Sequence, residues 1–310
     1  MPPNILITGA SGYLGGTILA RWSSANLQGY DKLFALVRTD AQAEAVKRYG
    51  AQPLTFNSRD EAAVMEAVAA NDISIVYFLI DALHSDSQVF FVKALGQLKK
   101  KTGQEVHFLH TSGAKIFSSH AGAPTDRPLL DTEPALYDIQ KAQKAASPLM
   151  QEAVDTNSTV IEQGEAHGVR TYIFVPCVVY GPGEGFGNKT SIQTVAVVQA
   201  AKAAGQVYKV TPGRPTWPVC HVLDNTDLFL AILRAILDGE SPGHGKRGYY
   251  LAASGSVAWD DLYAAMAAAL ARRGVVGSDA VGAADDAALE RMAAGLGCPK
   301  EFVEVQLAGA

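Results

Sequence analysis

The chain has few cysteines, and they show neither a disulfide framework nor a metal-binding spacing. Cys177, Cys220 and Cys298 stand far apart along the 310 residues. An odd number of widely spaced cysteines without a signal peptide is typical of a reducing compartment. We therefore expect free thiols, no bound metal and a cytoplasmic location.

Long apolar runs and large blocks of one charge are also missing. No run approaches the ~20 apolar residues that a membrane span needs, so no membrane partner is expected. The net charge is −5, and the one lysine cluster, at residues 99–101, lies where a helix is predicted to end. The charge therefore gives no reason to expect nucleic acid as a partner. Hydrophobic residues make up 48% of the chain, which is enough for a sizeable core.

Glycine is prominent near the start of the chain, between a predicted strand and a predicted helix. Gly9, Gly12 and Gly15 follow the apolar run at residues 5–7. In this arrangement the first glycine permits a tight turn, the second lets the backbone approach a pyrophosphate, and the third allows close helix packing. The helix N-terminus adds unpaired N–H groups. The stretch predicts a dinucleotide site; the alternative is a tight turn without a ligand.

Apolar strand patterns alternate with helical patterns along the first part of the chain. Strands are predicted at residues 33–37, 53–56, 73–80, 106–110 and 169–175, with helices between them. This alternation predicts an α/β fold, a doubly wound parallel Rossmann sheet. We expect it to span residues 1–180, with 220–252 returning to it. Residues 181–219 and 253–310 are expected to form a smaller substrate-binding lobe.

Arg38 stands at the end of the second predicted strand. In this fold that position meets the adenosine ribose, where an acid prefers a free 2′-hydroxyl and an arginine prefers a 2′-phosphate. Arg38 therefore predicts NADP (NADPH) as the cofactor. The alternative is a solvated surface arginine.

The chain resembles an extended short-chain dehydrogenase/reductase of the NAD-dependent epimerase/dehydratase type. The resemblance rests on TGASGYLG at residues 8–15, a Tyr-x-x-x-Lys at Tyr137 and Lys141, PCVVYGPG at 176–183 and HVLDNTD at 221–227. The second half is most similar to uncharacterised fungal members. The resemblance implies an NADP(H)-dependent oxidoreductase for a small carbonyl or alcohol substrate, such as a secondary metabolite. Relatives commonly form dimers, so a homodimer is also expected.

The resemblance also implies roles for individual residues. Those implied for the pyrophosphate are Thr8, Gly9, Gly12, Tyr13, Leu14 and Gly15. Arg38 would meet the 2′-phosphate, Asn57 and Ser58 the adenine, Leu79, Ile80 and Asp81 the underside of the cofactor, and Pro176, Val178 and Val179 the nicotinamide. Ser112, Tyr137 and Lys141 would be catalytic, and His84, Phe186 and Trp217 are candidate substrate contacts.

The Tyr137 and Lys141 pair matches the family only locally. Four-residue spacing puts phenol and ammonium on one helix face. The interval to Gly168 is longer than in the family, however, and Pro148 interrupts it. An interior proline breaks a helix, so Pro148, with Ser147 as N-cap, predicts a new helix.

Two interpretations of this pair stay open. The residues form a catalytic dyad on a short helix, or they match by chance in a surface loop. In the second case the candidates for proton transfer are His84, Ser112, Tyr180, Asp155 and Asn157. The alternative functions are a non-catalytic NADP(H)-binding sensor and a nucleotide-sugar epimerase.

Overall fold

The computed structural model describes residues 2–309. Its strands are β1 (Asn4–Ile7), β2 (Leu33–Leu36), β3 (Gln52–Leu54), β4 (Ile73–Phe78), β5 (His107–Thr111), β6 (Arg170–Pro176), β7 (Val178–Tyr180), β8 (Val207–Lys209), β9 (Thr216–His221), β10 (Tyr249–Ala252), β11 (Gly255–Ala258) and β12 (Val281–Ala283). Its α-helices are α1 (Tyr13–Trp22), α2 (Asp40–Lys47), α3 (Glu61–Ala70), α4 (Asp86–Thr102), α5 (Leu136–Ala142), α6 (Pro148–His167), α7 (Gln193–Ala204), α8 (Val222–Leu237), α9 (Trp259–Arg272), α10 (Asp286–Leu296) and α11 (Val303–Leu307).

Seven strands form one parallel sheet in the order β10-β6-β5-β4-β1-β2-β3. Every residue of β1 and β4 is buried, as expected for strands that helices cover on both faces. One apolar core packs α1 and α8 against the sheet, and the other packs α3, α4 and α6 against its opposite face. The predicted doubly wound Rossmann fold is confirmed.

Residues 143–147 separate α5 from α6, so the helix is interrupted where the sequence predicted an interruption. Pro148 is the first residue of α6, and the Ser147 hydroxyl caps that helix by accepting from the Met150 N–H at 3.3 Å. Gly168 ends α6 in the left-handed region, at φ 69°. The segment that carries Tyr137 is therefore a helix separate from α6.

A third apolar core lies in the remainder of the chain. It is formed mainly by α7, α9, α10 and α11 around Trp217, Trp259 and Tyr263. Strands β11, β9 and β7 form a small sheet there, and β12 pairs with β8. Because β7 starts two residues after β6 ends, this region begins directly at the carboxyl edge of the parallel sheet.

Within residues 2–309, no helix combines the length and the apolar character needed to cross a membrane. The same stretch contains no group of three or more His, Cys, Asp or Glu side chains placed to hold a metal ion. Cys177, Cys220 and Cys298 are free.

Candidate active site

A cavity of about 490 Å³ lies at the carboxyl ends of the parallel strands. The sheet contributes residues that follow β1, β4, β5 and β6. The opposite wall is formed by residues between β7 and α7, by the first residue of α7 and by one residue of β9: Asn188, Ile192, Gln193 and Trp217. Open α/β sheets bind ligands in the crevice at this edge.

The glycine turn forms the floor of the cavity, and its geometry requires glycine. Gly9 has φ +68°, and its carbonyl accepts from the Gly12 N–H at 2.8 Å. A Cβ on Gly15 would lie 2.4 Å from the Gly9 oxygen, far inside van der Waals contact. Gly12 is the N-cap of α1 and brings no side-chain cap. The N–H groups of the first helical turn are thus left for a ligand, and this cradle fits a pyrophosphate.

A second glycine-rich segment, residues 183–188, packs on the glycine turn. A Cβ on Gly185 would lie 2.5 Å from the Gly16 Cα, and a Cβ on Gly187 would lie 2.2 Å from the Ser11 oxygen. Glu184 accepts two hydrogen bonds at 2.5 Å from Arg21 of α1. Because only glycine permits these approaches, the segment is held against the turn and places Asn188 in the cavity.

The predicted pyrophosphate residues Gly9, Gly12, Tyr13, Leu14 and Gly15 all line the cavity. Thr8 lies behind them: its hydroxyl accepts from the Leu79 N–H at 2.8 Å and joins the ends of β1 and β4.

The predicted residues after β4 divide between the cavity and the surface. Leu79 lines the cavity. Ile80 is 44% exposed, and Asp81 pairs with His84, whose Nδ1 is 2.8 Å from the carboxylate. The hydrogen bond to Asp81 and the charge of that group raise the pKa of His84. Neither His84 nor Asp81 lines the cavity.

Arg38 follows β2 and lies exposed beside the glycine turn. Its N–H donates to Gln42 at 2.9 Å, and the Gln42 amide donates to the Ser11 hydroxyl at 3.2 Å. Between residues 2 and 309, no carboxylate pairs with the Arg38 guanidinium. Asn57 and Ser58 follow β3, and the Asn57 side chain accepts from the Arg59 N–H at 3.0 Å. Their contacts with adenine stay predictions.

At the end of β5, strand alternation separates Ser112 from the cavity. Ser112 does not line it, whereas its neighbours Thr111 and Gly113 do. The Ser112 hydroxyl is buried without a hydrogen-bond partner in the described chain. Successive residues of an extended chain point to opposite faces, which explains the difference.

The residues predicted to meet the nicotinamide divide between the cavity and an apolar core. Pro176, Cys177 and Val179 line the cavity, whereas Val178 is buried in the third apolar core.

Tyr137 and Lys141 lie together but outside the cavity. Their phenol oxygen and ammonium nitrogen are 3.4 Å apart, as the four-residue spacing predicted. Both contact the Glu162 carboxylate on α6, with the Tyr137 hydroxyl donating at 2.7 Å. Burial raises the pKa of Tyr137, and the charges of Glu165 and Asp138 add to that shift.

The position of this pair follows from the packing of α5. The Lys246 ammonium lies 5.1 Å from the centre of the Tyr137 ring, and Lys246 precedes β10. Tyr137 is thus near the amino end of a strand whose carboxyl end faces the other edge of the sheet. The cavity lies at that other edge.

The three predicted substrate residues have different surroundings. Trp217 lines the first cavity and also a second cavity of about 480 Å³. Phe186 packs against the first core, with its ring 6.1 Å from that of Tyr49. His84 lies in the loop before α4, paired with Asp81.

The other candidates for proton transfer also lie outside the first cavity. Tyr180 is 44% exposed and packs edge-on against His221. Asp155 accepts from Gln151 at 2.9 Å on the surface of α6. Asn157 is buried, and its amide has no hydrogen-bond partner among the described residues.

One ionisable cavity residue, Lys115, is missing from the sequence predictions. It lies in the 3-10 turn Ala114–Phe117 that follows β5, and its ammonium donates to the Ala308 carbonyl at 3.1 Å. Burial lowers its pKa to about 8. A charged residue so soon after a buried strand at the ligand edge was the available signal.

Comparisons with known proteins agree with this architecture. The family model described as NAD dependent epimerase/dehydratase family matches residues 5–245. A curated relative, "Oxidase ucsJ" from Acremonium sp, is 25% identical and covers 94% of this chain and 86% of its own.

Two solved structures show the same fold. The dTDP-glucose 4,6-dehydratase DesIV of Streptomyces venezuelae, with NAD and TYD bound, has a TM-score of 0.62 at 14% identity and covers 93% of this chain and 90% of its own. UDP-glucose 4-epimerase of Thermotoga maritima, with UDP-glucose, has a TM-score of 0.57 at 15% identity, with 91% and 86% covered. With most of its length matched by the family model, the chain belongs to the NAD dependent epimerase/dehydratase family.

Proposed function

We propose that the protein is an NADP(H)-dependent oxidoreductase that interconverts a small carbonyl compound and its alcohol. The observation that carries this proposal is the meeting, in one cavity, of the glycine turn, residues at and after the end of β6, and the half-buried Lys115. The family supports chemistry at a nicotinamide dinucleotide. The fungal relative is named an oxidase, which favours a net redox reaction over epimerisation.

A nicotinamide dinucleotide, when bound, supplies or accepts the hydride. The first turn of α1 would bind the pyrophosphate through its N–H groups. Leu79, Pro176 and Val179 would hold the nicotinamide ring. Arg38 would pair with a 2′-phosphate, because its guanidinium is exposed at the end of β2 and has no ion pair in the described chain. This pairing is the reason for proposing NADP over NAD, although the dehydratase DesIV carries NAD.

The second cavity is a candidate substrate chamber. It shares Ala114, Cys177 and Trp217 with the first, so a molecule inside it would abut the cofactor. Apolar side chains dominate its walls: Phe117, Pro128, Leu129, Val175, Pro218 and Leu251. Its volume of about 480 Å³ suits a small organic molecule. We therefore propose a mainly apolar carbonyl substrate, such as a secondary metabolite.

Cofactor titration tests the proposal directly. Trp217 lines the cavity, so quenching of tryptophan fluorescence would report binding of NADPH or NADH. Arg38→Ala is expected to weaken NADPH binding about 10–100-fold, the size of a lost charge-assisted contact, and to leave NADH unchanged. Arg291→Ala, an exposed arginine on α10, is the matched control. Equal effects of Arg38→Ala on both cofactors would overturn the assignment to NADP.

The second candidate function is a non-catalytic NADP(H) sensor. The position of Tyr137 and Lys141 outside the cavity favours it, because the family's proton-transfer pair is then missing from the cofactor site. Tight NADPH binding without NADPH oxidation across a panel of aldehydes and ketones would select the sensor. A cytoplasmic location and a homodimer remain predictions from the sequence.

A further inference from the structure

We infer that Lys115 is the catalytic residue that gives a proton to, and takes it from, the substrate oxygen. The inference rests on the proposed oxidoreductase function and names the group that replaces the tyrosine and lysine pair.

The geometry places the Lys115 amine inside the cavity. Lys115 lines it together with Thr111 and the glycine turn. Its nitrogen lies 5.4 Å from the ring centre of Trp217, which forms part of the wall between the two cavities. Lys115 lines the first cavity and not the second, so the reacting oxygen of a substrate would meet this amine where the two cavities join, beside Ala114, Cys177 and Trp217.

The surroundings of Lys115 leave its charge uncompensated. Its hydrogen-bond partner, Ala308, offers a neutral carbonyl, and no carboxylate within residues 2–309 forms an ion pair with it. The charged groups on neighbouring elements are His120, in the turn after the Lys115 turn, and Glu304 on α11. Burial is the main cause that lowers the pKa of His120. The Lys115 charge lowers that pKa further, and the Glu304 charge raises it.

The other ionisable side chains of the cavity are unsuited to proton transfer near neutral pH. The Tyr13 hydroxyl donates to the Gly181 carbonyl at 2.6 Å, and burial raises the pKa of Tyr13 to about 12. Burial likewise raises the pKa of Cys177 to about 12, and its thiol donates to Ala252 at 3.1 Å. Lys115, with a pKa of about 8, populates both protonation states near neutrality, as a general acid and base must.

The reduction step balances with this residue. The carbonyl carbon accepts a hydride from the reduced nicotinamide, and the π electron pair of the carbonyl bond moves to the oxygen. The Lys115 ammonium transfers one proton to that oxygen, which gives the alcohol, and a proton from solvent restores the ammonium. The carbonyl gains the two electrons that the dinucleotide loses. In oxidation the neutral amine removes the hydroxyl proton as the hydride leaves the carbinol carbon.

Competitive acetylation with acetic anhydride, followed by peptide mass spectrometry, tests the location of the amine. In the full chain, Lys115 should titrate near pH 8, and saturating NADP⁺ should slow its acetylation about tenfold or more, because a bound ligand shields the amine. Exposed Lys100 serves as the internal reference. Unchanged acetylation of Lys115 with NADP⁺ bound would overturn the inference. A failure of NADP⁺ to bind would instead overturn the proposed function.

Reduction of para-nitrobenzaldehyde by NADPH tests proton transfer. Lys115→Met should lower kcat/KM by about 100-fold or more while NADPH affinity stays the same, and Lys100→Met should change nothing. Lys115→Arg keeps the charge but cannot release a proton, so it should fold and bind NADPH yet remain slow.

The pH profile separates this role from a structural one. The wild-type rate should fall above about pH 8, and Lys115→Met should lose that dependence. A fully active Lys115→Arg would overturn the inference and leave the proposed function standing. A wild-type protein that binds NADPH without reducing the aldehyde would overturn the proposed function, and the inference with it.

Discussion

Replacement of Tyr137 by Phe separates the two interpretations of the Tyr137 and Lys141 pair. The substitution removes a hydroxyl that donates to Glu162 at 2.7 Å and leaves the ring packed in the core. Glu162 is 43% exposed and keeps its ion pair with Lys141, so no buried charge loses its last partner. The expected cost in unfolding free energy is therefore about 0.5–1.5 kcal/mol, that of an ordinary hydrogen bond.

The kinetic expectation follows from the position of the tyrosine. Because Tyr137 lies beside Lys246, at the amino end of β10, Tyr137→Phe should leave NADPH affinity and aldehyde reduction unchanged. A tyrosine at the reacting oxygen would instead cost about 10²–10⁴-fold in rate. The two expectations differ by far more than the error of either measurement.

Urea unfolding and initial rates of NADPH oxidation are the assays. Tyr250→Phe is the matched control, since it also removes a tyrosine hydroxyl with one acceptor, in this case the Gly243 carbonyl at 2.9 Å. Should Tyr137→Phe lose about 100-fold in kcat with its stability retained, the tyrosine reaches the reacting atoms and the placement of the active site is wrong.

Three further predictions test the packing and the buried charges. Gly185→Ala puts a Cβ 2.5 Å from the Gly16 Cα, so it should lower the unfolding free energy by about 1–3 kcal/mol and weaken NADPH binding. Gly255→Ala is the control: no atom lies within 4 Å of the added Cβ, so stability and NADPH binding should stay unchanged. Burial lowers the pKa of His110 from 6.5 to about 4, so the unfolded state binds a proton at a higher pH than the folded state does. The neutral His110 therefore contributes its full share to the unfolding free energy above pH 6.5, and about 3 kcal/mol of that free energy is lost as the pH falls toward 4. In urea unfolding, His110→Phe should flatten this acid dependence, and an unchanged slope would contradict the assignment. Burial lowers the pKa of Lys115 from 10.5 to about 8, so the unfolding free energy of the wild type should rise from pH 8 to pH 10.5. Lys115→Met should be more stable than the wild type by up to about 3 kcal/mol at pH 7, and this difference should disappear above pH 10.5. A variant that is less stable than the wild type even at high pH would show that the Ala308 contact outweighs the cost of burying the charge.

The sequence predicted features that depend on neighbouring residues. The glycine turn follows from backbone angles and close approaches within Gly9 to Gly15, and alternating strands and helices imply a parallel sheet. The break before Pro148 follows from the missing N–H and the Ser147 cap. The 3.4 Å contact of Tyr137 with Lys141 follows from helix periodicity.

The orientation of individual side chains was harder to predict. The sequence predicts Ser112 as the hydroxyl at the ligand edge, but its neighbours Thr111 and Gly113 line the cavity instead. In a strand, successive side chains point to opposite faces of the sheet. Which of the two faces meets the cavity depends on the elements that pack on each side.

The sequence by itself determined the Rossmann fold and the turn that would bind a dinucleotide, because both follow from residues close together in the chain: the alternation of strand and helix patterns, and the spacing of three glycines. Only the tertiary structure decided which ionisable groups face that turn. The Gln140 side chain holds α5 against α6 and β10, because it donates to the Val154 carbonyl and accepts from the Tyr249 hydroxyl. With α5 fixed there, Tyr137 lies outside the cavity. Lys115 and Ala308, 193 residues apart, meet because the third apolar core packs on the sheet edge, and no local pattern encodes a contact over that distance.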